Sequence, residues 1–170
     1  MGQRGSAAVA VVLIVAGVIV MFMVPLTNMA KEKEETTRML AQQAVSDTLN
    51  EIQKKGKITQ EDIDDLQAKL NSTGTVYTAS FTVSQEDENP SKKNTGASVT
   101  SKGDARVLFF DAQIEDQISV TGSWELKDGD LVSIEANEIG ESLYQQIVGA
   151  IMNAFKNEKA TITVSGRIAK

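Results

Sequence analysis

Cysteine and histidine are both absent from this chain. Their absence removes disulfide frameworks, Ser-His-Asp and Cys-His nucleophilic sites, haem and iron–sulfur ligation and the usual zinc sites. Lys and Arg number 17 against 23 Asp and Glu, a net charge of −6. Such an acidic balance carries no electrostatic footprint for nucleic acid, so DNA or RNA is not expected among the partners. Only 2 prolines and 1 tryptophan occur in 170 residues, a length suited to one domain of ordinary size. No catalytic motif places titratable groups together, so the chain does not read as an enzyme and no cofactor or metal is expected.

What is present is a block without charge. From Ser6 to Ala30 every residue is neutral, and Val9 to Val24 is nearly all Val, Ile, Leu, Ala and Met. At about 1.5 Å rise per residue a helix of that length covers a bilayer core of about 30 Å. The chain therefore reads as inserted in membrane lipid through a single span. Arg4 precedes the block and Lys31-Glu32-Lys33-Glu34-Glu35 follows it, which favours a cytoplasmic N-terminus and an extracytoplasmic C-terminal head.

Three readings of the block compete. A cleaved secretory signal needs a small-x-small exit, whereas the end here is Thr27-Asn28-Met29-Ala30. A plain single-pass anchor satisfies the same hydrophobicity. The third takes residues 1–5 as a short leader, 6–30 as the transmembrane helix, 31–56 as its amphipathic continuation and 57–170 as the head. Leu40, Ala44, Val45, Leu49 and Ile52 mark one face of the continuation, and Gly56 stops it after Lys54 and Lys55. Pro25 lies inside this rod and is expected to bend it.

The head reads as α+β. A helix capped by Thr59 and Asp62 buries Ile63, Leu66 and Leu70 and ends over Asn71–Gly74. Glu61, Asp62, Asp64 and Asp65 lack EF-hand spacing and suit a first helical turn instead of a metal site. Thr75–Ser84 is a strand with Tyr77, Ala79, Phe81 and Val83 towards a core. Residues 85–104 read as a long polar loop. An apolar element covers Arg106–Phe110, and Ile114 with Ile118 suggest a short helix over 111–118.

Trp124–Ile134 looks like a hairpin about Asp128-Gly129, with Asp128 and Asp130 explained by turn chemistry and not as a catalytic pair. Residues 139–156 carry a helical stripe of Ile139, Leu143, Tyr144, Ile147, Val148, Ile151, Met152 and Phe155, expected to be core. Thr161–Ser165 closes the chain as a strand. Four or five antiparallel strands packed on that helix and on the far end of the rod are expected. Asn71-Ser72-Thr73 matches a glycosylation acceptor, a frequent chance pattern.

Arg4-Gly5 before an uncharged helix, its amphipathic continuation and a small α+β head resemble type IV pilins and pseudopilins. The likeness includes the TadE-like pilin relatives of Gram-positive bacteria. Leu49–Leu66, Leu70–Tyr77 and Leu126–Ser133 are the stretches similar to that group. The resemblance implies cutting by a prepilin peptidase between Gly5 and Ser6. It implies Pro25 as the helix-bending proline, and self-assembly with like subunits into a pilus or pseudopilus. Many members carry Glu at the fifth mature position. Here that position is Ala10, so a buried ion pair does not set the register. The alternative is an anchored binding or accessory protein that does not polymerise.

Overall fold

A computed structural model describes residues 3–86, 98–99, 106–140, 146 and 159–169. The chain divides into two units, Met1–Thr36 with Glu141–Asn157, and Thr37–Gly140 with Glu158–Lys170. Helix α1 is unbroken over Gln3–Lys55. In the first unit most of its residues from Val9 onward are solvent-exposed, with Met21 77% and Phe22 72% accessible.

The second unit is α+β. After α1 come β1 (Lys57–Thr59), α2 (Gln60–Ser72), β2 (Tyr77–Glu86), β3 (Ser98–Val99) and β4 (Arg106–Phe110). Then follow α3 (Asp111–Thr121), β5 (Ser123–Glu125), β6 (Leu131–Glu138) and β7 (Thr161–Arg167). A five-stranded antiparallel sheet runs β3-β4-β2-β6-β7, and β1 pairs with β5 in a separate two-stranded sheet.

Alternation places the core as the sequence pattern predicts. Tyr77, Phe81 and Val83 of β2 are buried and Ala79 is partly so. Phe81 stands opposite Ile134, which stands opposite Val164, so one apolar row crosses three strands. Against this face lie Ala41, Ala44, Val45, Leu49 and Ile52 of α1, Leu66 and Leu70 of α2, and Ile114 and Ile118 of α3. Gly166 of β7 faces α1 closely. A Cβ there would stand 2.3 Å from Gln53 Nε2 and 3.3 Å from Leu49 Cδ2.

The buried stripe of α1 differs from the expected one at Leu40, which is 49% exposed, while Ala41 is fully buried. Thr37, Ala41, Ala44, Val45, Thr48, Leu49 and Ile52 share one side of the helix. At roughly 100° per residue Leu40 falls roughly 110° from the middle of that side.

The hairpin about Asp128-Gly129 does not form. The turn is there, with Gly129 at φ 87°, but its two arms belong to different sheets. Trp124 pairs with Ile58, and the Leu126 N–H donates to Gly56 O at 3.0 Å, so the first arm's hydrogen bonds are already taken. The second arm, β6, sits between β2 and β7.

The loop expected at 85–104 contains strand residues in its described part. Gln85 and Glu86 continue β2 opposite Val107 and Arg106, and Ser98–Val99 pairs with β4. Residues 87–97 and 100–105 lie outside the described residues. So does nearly all of the stripe on 139–156. Its first member, Ile139, follows β6 directly, donates its N–H to Val76 O at 2.9 Å, and is 53% exposed. Seven strands are present among the described residues, because β1 and β3 are too short to show a period in sequence.

Leu40→Ala should change stability by no more than about 0.5 kcal/mol, as an exposed helix position does. Ala41→Leu should cost about 1–3 kcal/mol by overpacking. Denaturation of the full chain in detergent, followed by fluorescence of the buried Trp124, separates the two.

Candidate functional site

The residues singled out by sequence lie along α1, and the structure places each of them. Gly5 and Ser6 both lie within the described helix Gln3–Lys55. Ala10 lies within the exposed apolar stretch.

Pro25 also lies within α1, and the helix continues through it. Proline has no N–H to offer the Met21 carbonyl one turn back. Beside it the Thr27 hydroxyl donates to the carbonyls of Met23 at 3.0 Å and Val24 at 2.9 Å. Such back-bonding satisfies a hydroxyl that lipid could not, and it often accompanies bending.

Among the described residues one helix is long and apolar enough to cross a membrane, and none of its most apolar window is buried. Length and composition fit a membrane anchor and a signal sequence alike. An apolar surface of this extent is not stable in water and must be covered by lipid or by protein.

In the second unit the carboxylates serve as backbone staples. Asp62 is 3% exposed and closes a reciprocal capping box with Thr59, as the sequence suggests. Its Oδ2 accepts from the Thr59 N–H at 3.0 Å and the Thr59 hydroxyl at 2.7 Å. Its Oδ1 accepts from Lys55 Nζ at 2.6 Å. Burial pushes the Asp62 carboxyl up, but the bonds from Lys55 and Thr59 outweigh it and hold the group below the usual carboxylate range. The same bond raises Lys55.

Asp111 shows the opposite balance. It follows β4 at the point where the β4 ladder with β2 ends, and its Oδ1 accepts the Phe81 N–H. Burial raises its carboxyl above the ordinary range, Phe81 pulls it back, and Glu115 adds to the rise. Asp130, expected as a turn residue, is 3% exposed. Its Oδ2 accepts from the Lys127 N–H and from Gln85 Nε2, both at 2.8 Å. Arg106 completes that corner, donating to Ser84 Oγ at 3.1 Å, Ser84 O at 3.0 Å and Gly129 O at 2.8 Å. The sequence reading missed the Arg106 corner and the Asp111 staple. Each depends on a pairing distant in the chain.

Two clefts on this unit are polar. One, about 450 Å³, lies among Gln53, Lys54, Lys55 and Arg167, and another, about 380 Å³, among Arg38, Gln42, Lys159 and Thr161. In the first, Lys55 is held by Asp62 and Gln53 by Arg167 O, so much of the lining is already spent on structure. Among the described residues no group of three or more His, Cys, Asp and Glu is placed to hold a metal ion. No protein-family model, curated protein or solved structure matches the chain.

Asp62→Ala should cost about 1–3 kcal/mol, since it orphans the Thr59 N–H and the Lys55 ammonium. The pH dependence has a definite sign. With its folded pKa depressed, Asp62 contributes stability above the ordinary carboxylate pKa and loses it as pH falls through the lower folded value. Asp111, with its folded pKa raised, favours the fold at low pH and loses that contribution as pH rises through its folded value. Urea midpoints between pH 2 and 6 should therefore fall less steeply towards acid in Asp62→Asn, and more steeply in Asp111→Asn, than in the parent.

Proposed function

We propose that this chain is a pilin-like structural subunit, a non-enzymatic protein whose work is assembly. In this reading a prepilin peptidase cuts between Gly5 and Ser6 on the cytoplasmic side of the cell membrane. The apolar part of α1 then packs with like subunits or other pilins into a pilus or pseudopilus of a type IV/Tad or type II secretion-like system. Before assembly the chain spans the membrane once, with its N-terminus in the cytoplasm and the α+β unit outside.

The observation that carries the proposal is the division of labour along one unbroken helix. From Val9 to Ala30 it is charge-free and largely exposed, and Ala41 to Ile52 of the same helix form part of the α+β core. This continuity argues against an ordinary signal sequence, whose exit is extended and bears small residues at −1 and −3. It supports an element that serves both as anchor and as assembly rod.

One feature favours the alternative, a single-pass accessory protein that binds a partner without polymerising. Position 10 is Ala, and no carboxylate lies in the apolar block to pair with a neighbour's terminal amine.

The N-terminus of the protein isolated from its native host distinguishes them. A start at Ser6 is expected, and Gly5→Leu should then block both cutting and assembly. A start at Met1 or Gly2 would leave the plain anchor, and a start at Lys31 a secreted protein. The uncut chain should stay in the membrane pellet after carbonate washing. Its release into the supernatant would sink both membrane readings.

A further inference from the structure

The charges just past the apolar block leave two groups without a partner on their own helix. Lys31 meets Glu35 one turn on, at 3.9 Å, with both side chains 63% exposed. Glu34 and Arg38 stand at the same spacing and are each engaged. Lys33 has Met29, Ala30, Thr36 and Thr37 at its helical neighbour positions. Glu32 has Asn28, Met29, Glu35 and Thr36. Neither set holds an opposite charge. The two residues also cannot serve each other, because adjacent helix positions diverge by roughly 100°. Both are exposed.

We propose that Lys33 of one copy pairs with Glu32 of the next, making this turn of α1 the contact that sets the height of neighbouring helices. The occupant of the face is thus a second copy of this chain, and the inference rests on the assembly reading above. Three physical points support it. The orphaned groups have opposite sign and lie about 1.5 Å apart along the helix axis, so parallel neighbours at similar height bring them together. They point to different sides, which makes the contact heterologous. Lys33 of the first copy meets Glu32 of the second, whose own Lys33 is free for a third, and such contacts build rings or open filaments. Finally, Ser6 to Ala30 offers no charge at all. Sliding one helix down its neighbour would press Glu32 or Lys33 against an apolar surface that cannot solvate it.

Zero-length carbodiimide coupling of the full chain in its native membranes tests the contact directly, since it joins only carboxylates and amines in contact. Oligomer bands whose cross-linked peptides join Lys33 to Glu32 are expected. The yield of assembled material should fall about tenfold in Lys33→Glu and in Glu32→Lys, where like charges face each other. It should recover in the exchanged double variant Glu32→Lys/Lys33→Glu. The chain has no cysteine, so Ile14→Cys gives an independent reporter of helix packing within the apolar block. Disulfide dimers through Ile14→Cys with no Lys33–Glu32 link would overturn the inference and leave assembly standing. So would single reversals that assemble like the parent, or a double exchange that fails to recover. Absence of both oligomers and Ile14→Cys dimers would remove the assembly reading, and this inference with it.

Discussion

The side of α1 from Ala41 to Ile52 is the constraint on which the α+β unit depends. Ala41 and Ala44 are small, so the helix backbone can approach the sheet closely, and Val45, Leu49 and Ile52 then fill the space beside it. Gly166 answers them from β7, leaving room for Gln53 and Leu49. The Gln53 amide donates to Arg167 O at 3.0 Å, which ties the same stretch of helix to the last strand. One turn on, Gly56 reverses the chain at φ 67°, its N–H donating to Ile52 O at 2.8 Å. Lys55 then holds the start of α2 through Asp62. Sheet, last strand and second helix are thus all referred to one helical face.

Around that face the polar groups follow a single logic. Asp62, Asp111 and Asp130 each give a carboxylate oxygen to a backbone N–H that no ladder or helix satisfies, at Thr59, Phe81 and Lys127. An unpaired N–H in these places would cost about as much as a lost hydrogen bond. Asp62 and Asp130, read from sequence as cap and turn residues, thus act as joints of the fold, and Asp111 adds a third. Among the described residues two buried polar atoms, Thr48 Oγ1 and Trp124 Nε1, have no hydrogen-bond partner. Trp124 compensates by packing, its ring 4.9 Å from that of Phe109.

Local signals in the sequence survived where the physics was local. The Thr59–Asp62 capping box, the alternation of Tyr77, Phe81 and Val83, the Ile114/Ile118 helix and the Gly56 stop are each set by residues a few positions apart. Where the outcome depends on a distant partner, the sequence misleads. Asp128-Gly129 is a good turn, but β1 competes for β5 and wins, and three residues of β1 leave no periodic trace. Leu40 is as apolar as Leu49, and only its angle round the helix, against a sheet not visible in sequence, decides that it stays outside. The candidate site shows the same split. The charge-free block, Pro25 and Gly5 can be read directly, whereas the Thr27 back-bonds come only from the folded helix.

An uncharged block solves insertion and leaves recognition open. Lipid tails are as apolar as Val, Ile and Leu, so moving this surface from bilayer to a bundle of its own kind gains little from the hydrophobic effect. What it can gain is close packing, and β-branched side chains, already fixed in rotamer, lose little entropy on packing. Packing of that kind tolerates sliding, because one turn of Val and Ile looks much like the next. A defined height between neighbours has to come from groups for which position matters. On α1 the first such groups after the block are Lys31 to Glu35, which in the proposed membrane reading stand where lipid gives way to water. An ion pair there avoids the cost of burying charge in hydrocarbon, yet is less screened than one in open solvent. In the assembly reading proposed above, the absence of a carboxylate at Ala10 shifts the demand for registration outward along the helix, to the turn that holds Glu32 and Lys33.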